Sequence, residues 1–147
     1  MAQPNYDHLK IEHQICFPLY AASREVIKRY RPYLDALDLT YTQYITLMVL
    51  WEREAVSVKE LGQVLYLDSG TLTPVLKSLE QKGYVTRSRS QEDERVVVAR
   101  ITEKGLSLRE KAAAIPGQIA GCVRLEGKDA LELYRLLHQV LDALKEE

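Results

Sequence analysis

From residue 57 onward the apolar positions recur at helical spacing, break, recur at helical spacing again, and then alternate. Val58, Leu61, Val64 and Leu65 form the first stripe, with Lys59, Glu60 and Gln63 on its wet side, which predicts a short amphipathic helix. Ser57 with Glu60 three residues later supplies a capping box, each side chain meeting an orphan backbone donor at the helix start. The second stripe, Leu72, Val75, Leu76 and Leu79, is opened by Asp68, a strong N-cap, and closed by Gly83, a natural C-cap. Pro74 is tolerable there only because it falls early in the helix, where a missing donor costs little. After Gly83, Tyr84, Val85 and Thr86 and then Val96, Val97, Val98, Ala99 and Ile101 are strand formers flanking the charged turn at 90–94. Helix, turn, helix and hairpin in this order predict a winged helix-turn-helix, an arrangement that reads DNA.

The flanking segments return to the helical period. Leu19, Ala22, Val26, Ile27, Tyr30 and Tyr33 predict a helix over 19–35. Thr40 with Gln43 forms a second capping box ahead of Tyr44, Ile45, Leu47, Met48, Leu50 and Trp51. Thr102 caps a helix predicted over 103–121, and residues 125–129 read as a break before the last one. That last helix, from Lys128, carries Leu131, Leu133, Tyr134, Leu136, Leu137, Val140, Leu141 and Leu144, an apolar surface too broad for packing on one side. Terminal helices that interleave into a homodimer account for the breadth, and a two-fold axis duplicates the reader for a pseudo-palindromic double-stranded site. The fold class expected is mainly α with a small β-wing. Residues 1–147 form one domain, with the winged helix-turn-helix over 41–101 and helical dimerisation regions over 1–35 and 103–147.

Composition narrows the setting. A chain of 147 residues, 46% hydrophobic and 28% charged, holds one domain with a proper core. With no long apolar run and no leader or lipidation signal, no membrane partner is expected, and the expected compartment is the cytoplasm. The net charge of -1 means that affinity for phosphates has to come from local cations. Lys77, Lys82, Arg87, Arg89, Arg95 and Arg100 gather in the second reader helix and the hairpin, while Ser69, Gly70, Thr71 and Thr73 offer small or hydrogen-bonding groups to base edges and phosphates. Any one of these cations alone reads as part of a solvated face; their co-location with the reader makes the set a candidate DNA surface.

The wing sequence Asp93, Glu94, Arg95, followed by a strand and then Ile101, Thr102, Glu103, Lys104 and Gly105, resembles the signature of MarR-type transcriptional regulators. The resemblance implies a wing arginine, Arg95, in the minor groove and residues 69–77 in the major groove. Residues 14–17, 19–25, 39–41 and 67–74 are similar to the OhrR branch, whose members sense organic hydroperoxides. On that resemblance Cys16 is the peroxide-reacting thiol, Tyr30 and Tyr41 are phenolic partners contributed across a dimer, and Tyr20 lies near the same site. Cys122 is a candidate resolving thiol from the partner subunit; the alternative is a packing cysteine, with oxidised Cys16 capped by a low-molecular-weight thiol. The function implied is a redox-responsive repressor that releases DNA when Cys16 is oxidised.

Other readings remain open at this level. A lone cysteine among Ile15, Phe17 and Leu19 is ordinarily a small buried hydrophobe; the protein is then a repressor released by a small aromatic ligand. A thiol peroxidase that turns over at Cys16 is the enzymatic alternative, but no Ser-His-Asp, paired-carboxylate or phosphate-loop pattern supports a catalyst. His8, His13 and His138 lack companions for a metal site, so neither metal nor cofactor is expected. Nine tyrosines against one phenylalanine show hydroxyls where plain aromatic bulk would suffice. Pro18 either starts or kinks the first helix; if it starts there, Cys16 lies at a positive helix end, where negative charge is favoured.

Overall fold

The computed structural model describes residues 1–145. Two single 3-10 turns, Asp7–Leu9 and Ile11–His13, lead into α1 (Cys16–Asp35) and α2 (Tyr41–Arg53). The reader follows as β1 (Ala55–Ser57), α3 (Val58–Leu65), α4 (Ser69–Gln81), β2 (Val85–Arg89) and β3 (Val97–Ile101). Three helices close the chain: α5 (Glu103–Ala112), α6 (Ile115–Val123) and α7 (Gly127–Lys145).

Local chemistry sets most of these boundaries. Thr40 and Gln43 form the full capping box at α2, the Gln43 amide donating to Thr40 Oγ1 at 3.3 Å and the Thr40 amide to Gln43 Oε1 at 3.1 Å. Truncating Thr40 to alanine is expected to cost about 1 kcal/mol in chemical denaturation, the usual loss of an N-cap. Asp68 Oδ1 accepts from the Thr71 amide at 2.7 Å and starts α4. The helix ends in a paired turn, Gly83 N–H to Glu80 O and Tyr84 N–H to Leu79 O, both at 3.0 Å. Gly83 takes the φ of +80° that this closure requires.

The fold departs from expectation at five places. Only half of the Ser57 box forms: the Glu60 amide donates to Ser57 Oγ at 3.1 Å, but the Glu60 carboxylate turns to Arg53 at 3.0 Å. A charged partner outcompetes a single backbone amide for an exposed carboxylate. Second, the hairpin belongs to a three-stranded antiparallel sheet of order β1-β3-β2, with Val56 and Arg87 both opposite Ala99. Third, α1 begins at Cys16 rather than 19, so Pro18 occupies the first turn, where its missing donor has no intrahelical acceptor to lose. Fourth, the helix expected over 103–121 is two helices broken at 113–114, because Pro116 has no N–H for the Ala112 carbonyl. Fifth, Pro74 is the sixth residue of α4, beyond the first turn, and the helix continues through it.

Leu47, Leu50, Leu61, Leu72, Leu76 and Leu79 are fully buried and weld α2 to α3 and α4, with Val85 and Ala99 closing the sheet side. Leu34, Ile115 and Ile119 extend this core between α1 and α6. By contrast, α7 buries no residue against its own chain: Leu131 is 73% and Tyr134 65% exposed. Ile15, Phe17 and Leu19 are exposed as well. Among the described residues no helix is long and apolar enough to cross a membrane.

Candidate functional site

One end of α1 carries Cys16, the first residue of the helix, exposed and with a free thiol. Tyr20 lies one turn further on the same helical face. Its hydroxyl accepts from Arg24 Nη1 at 2.7 Å, with the guanidinium 5.4 Å from the ring centre. An oxygen that accepts from arginine keeps its own proton to donate elsewhere. The alternative reading of Cys16 as a small buried hydrophobe is not met within this chain, since neither the thiol nor its apolar neighbours Ile15, Phe17 and Leu19 find cover there.

The other end of α1 carries Tyr30, packed edge-on to Tyr41 with ring centres 5.0 Å apart. Tyr44, which sequence reasoning counted as core, completes a cluster at 5.7 Å from Tyr30 and 6.4 Å from Tyr41. Its signal was the three-residue spacing from Tyr41 on one helix. Burial first, then the neighbouring Tyr41 and Tyr44, pushes the Tyr30 hydroxyl up to about 12. Burial also raises Tyr41, and burial and then Tyr41 raise Tyr44. All three are therefore neutral donors at physiological pH. Absorbance titration of the folded protein is expected to show a late group of phenols that ionises above the ordinary tyrosine range. Raised folded values favour the folded state below the ordinary tyrosine value near 10, and this is lost as pH climbs above it, for Tyr30 through about 12.

Cys16 and the cluster do not meet within one chain. Fourteen residues of helix separate Cys16 from Tyr30, roughly 21 Å at the helical rise of about 1.5 Å per residue. Cys122 lies near the end of α6, exposed and free. His8, His13 and His138 are exposed, with His138 against Tyr134 at 4.3 Å between ring centres.

On the reader, Ser69, Gly70, Thr71, Thr73 and Lys77 are all exposed along the first two turns of α4 and just beyond. Asp68, held below the usual carboxylate range by the Thr71 amide, fixes the start of that surface. Arg95 stands at the wing tip with its side chain 90% exposed, anchored by Asp93 through Nε at 3.1 Å and Nη2 at 3.3 Å. Arg87 is placed differently: its Nε donates to Glu80 at 2.7 Å, tying the wing to α4. Trp51, legible in the sequence only as an apolar position of α2, donates its Nε1–H to the Gly105 carbonyl at 2.8 Å and joins α2 to α5.

A helix-turn-helix with an exposed polar face, a cationic wing and a separate helical frame defines a winged-helix transcriptional regulator. The family described as transcriptional regulator SarA/Rot matches residues 28–112. An organic hydroperoxide resistance transcriptional regulator of Bacillus subtilis is 51% identical over 142 residues, 97% of each chain. AbfR of Staphylococcus epidermidis is 32% identical with a TM-score of 0.78, covering 96% of this chain and 97% of its own. Reduced AbfR bound to DNA matches at 33% identity and a TM-score of 0.77, over 94% of this chain and 96% of its own. The disulfide form of AbfR matches at 33% and 0.64, over 92% and 95%. The chain belongs to the SarA/Rot family of transcriptional regulators, winged-helix proteins of the MarR type, and is most similar in sequence, among these relatives, to the hydroperoxide-resistance regulator.

Proposed function

We propose that this protein is a cytoplasmic, homodimeric repressor that binds a pseudo-palindromic DNA operator and releases it when an organic hydroperoxide oxidises Cys16. The observation that carries the reading is the 51% identity, over 97% of both chains, to a regulator named for organic hydroperoxide resistance. AbfR supports the redox part, having reduced and overoxidized forms bound to DNA and a disulfide form.

The whole chain acts as one domain, the reader spanning 41–101 and the helices of 1–35 and 103–147 forming the dimer. A 19-residue helix with no buried side chain and an exposed apolar face has no reason to stay solvated. Pairing α7 and the N-terminal segment with a second copy covers that face. It also allows Cys16 of one subunit to approach Tyr30 and Tyr41 of the other, which the length of α1 between Cys16 and Tyr30, with Tyr41 packed on Tyr30, forbids within a chain.

The chemistry proposed there balances. The Cys16 thiolate attacks the terminal peroxide oxygen, an S–O bond forms and the O–O bond breaks. Sulfur is oxidised to a sulfenic acid, and the alkoxide leaving group takes a proton from a neutral phenol of Tyr30 or Tyr41, with Tyr20 alongside. The phenol is reprotonated from water. Ile15, Phe17 and Leu19 give the site an apolar rim that suits an alkyl or aryl peroxide. The sulfenic acid then condenses with Cys122 of the partner subunit or with a low-molecular-weight thiol. Non-reducing electrophoresis after hydroperoxide treatment separates the two: a dimer-sized band that reducing agent abolishes is expected for the Cys122 route, and a monomer-sized band throughout excludes it.

On DNA, Ser69, Gly70, Thr71, Thr73 and Lys77 enter the major groove, Arg87 meets phosphate, and Arg95 reaches the minor groove. Arg95→Ala is expected to weaken operator binding by about 1–2 kcal/mol and to lower the salt dependence by about one counterion, measured by anisotropy over a salt series. The function as a whole is tested by operator titration of the wild type before and after an organic hydroperoxide. Loss of binding is expected after about one equivalent per site, and unchanged binding removes the redox reading.

A second reading has one observation in its favour. A cleft of about 950 Å³ opens between α3, the start of α4 and Lys145 at the end of α7, lined by Val58, Tyr66, Leu67 and Leu72. There a small aromatic ligand releases DNA and Cys16 is structural. Release of DNA from a Cys16→Ser protein by hydroperoxide favours this alternative.

A further inference from the structure

The first turn of α2 has two working faces. Tyr41 and Tyr44 lie in the tyrosine cluster, and Gln43 sits between them in sequence. At roughly 100° per residue, Gln43 points away from Tyr41 to the opposite side of the helix. It is 6% exposed, one of two buried polar residues among the described residues.

All the capacity of its carboxamide oxygen, and one of its two amide protons, is used. Oε1 accepts from the Thr40 amide at 3.1 Å and from Lys82 Nζ at 3.3 Å, while Nε2 donates to Ser78 Oγ at 2.9 Å. Ser78 and Lys82 sit one turn apart at the C-terminal end of α4, the helix whose N-terminal half carries the DNA face. Lys82 Nζ also donates to the Asp38 carbonyl and lies 3.6 Å from its carboxylate. The turn before α2 is thus gripped by the same lysine, and that turn is held at a φ of 53° at Asp38. Three polar partners on two elements fix one register of α4 against α2. A buried network of this kind has few alternative arrangements, because any slip leaves a polar group unpaired.

We propose that Gln43 is the positioning residue that transmits a change at the tyrosine cluster to the reading helix, through its hydrogen bonds to Ser78 and Lys82. The inference rests on the redox function above. When oxidation at Cys16 displaces Tyr30 and Tyr41, the first turn of α2 moves with them. Gln43 carries the end of α4 along, and the reader loses the orientation that fits the groove. The coupling is a difference between two orientations of one helix, which both the cluster and the DNA bias.

Gln43→Leu removes the link at α2, and Ser78→Ala removes the shorter of its two bonds to α4 without touching the α2 cap, the tyrosines or Lys82. Three quantities are measured for each with cumene hydroperoxide and a duplex selected by the reduced wild type: loss of the Cys16 thiol, operator Kd when reduced, and operator Kd when oxidised. Both variants are expected to lose the Cys16 thiol at the wild-type rate and to bind within about threefold of wild type when reduced. The ratio of oxidised to reduced Kd is expected to fall tenfold or more, within the usual range of coupling factors. A merely structural role lowers both affinities and leaves the ratio intact, which overturns the proposal. If Gln43→Leu does not fold, Ser78→Ala alone decides by the same ratio. If the wild type itself keeps its DNA after oxidation, the redox function fails and the coupling falls with it; if wild type and variants release alike, the coupling alone fails.

Discussion

Replacing Cys16 by serine is expected to leave operator binding at the level of the reduced wild type and to abolish release by organic hydroperoxides. Serine preserves the size and exposure of the side chain at the start of α1, so neither the core nor the DNA face changes. What it removes is a nucleophile: an alcohol does not form an anion near neutral pH and does not attack a peroxide bond. Tyrosine variants have a graded outcome instead. Tyr30→Phe and Tyr41→Phe keep the edge-on packing at 5.0 Å but remove the proton donors, so they slow oxidation without preventing it. The contrast between an all-or-none effect at Cys16 and a slower rate at the tyrosines is read from thiol-loss kinetics, with operator release on the same samples. Release from Cys16→Ser with wild-type dose dependence sinks the assignment of the sensor.

The largest effect on stability is expected at Gly105. Its amide donates to Thr102 Oγ1 at 3.1 Å to cap α5, and its carbonyl accepts from Trp51 at 2.8 Å. A Cβ there would stand 2.3 Å from the Tyr84 carbonyl oxygen and 2.7 Å from Ile101 Cδ1. The isoleucine can turn aside; the backbone carbonyl cannot, because it already accepts from the Thr102 amide at 3.0 Å. Relief requires α5 to back away from the sheet, which breaks the Trp51 link. Gly105→Ala is expected to cost about 3 kcal/mol or more, lowering Tm by roughly 10 °C in a chain of this size. Gly127, where an added Cβ meets nothing within 4 Å, is the control. Alanine there is expected to change stability by less than about 1 kcal/mol. Calorimetry at one fixed protein concentration checks both, since a dimer's Tm depends on concentration.

These outcomes separate what the chain announces locally from what only the fold assembles. Caps are local: Thr40, Asp68 and Thr102 each hold a backbone amide three residues on, and all three can be read from short sequence windows. The stripe from Ser69 to Lys77 is legible for the same reason, since helical spacing alone separates it from Leu72, Leu76 and Leu79. Strand β1 escaped notice because three residues between two helices carry no period, and its pairing partner lies more than forty residues away. The break at 113–114 was masked by three consecutive alanines, strong helix formers, ahead of the proline that stops them.

Gln43 shows the limit most clearly. Its role in the capping box is written in the sequence, but its hold on Ser78 and Lys82 depends on the packing angle of α2 against α4. The proposed redox site is harder still, since Cys16 and Tyr30 lie toward opposite ends of α1 and Tyr41 lies on α2. The proposal brings them together through a second chain, and the resemblance of residues 14–17, 19–25 and 39–41 to hydroperoxide sensors is what pointed to it.

The central claim joins one sulfur atom to one DNA-binding equilibrium. Peptide mass spectrometry of Cys16 and operator anisotropy, performed on the same samples across a substoichiometric titration with cumene hydroperoxide, test it most directly. The fraction of operator released is predicted to follow the fraction of dimers carrying oxidised Cys16. Release while Cys16 remains a free thiol, or full oxidation of Cys16 with the operator still bound, contradicts it.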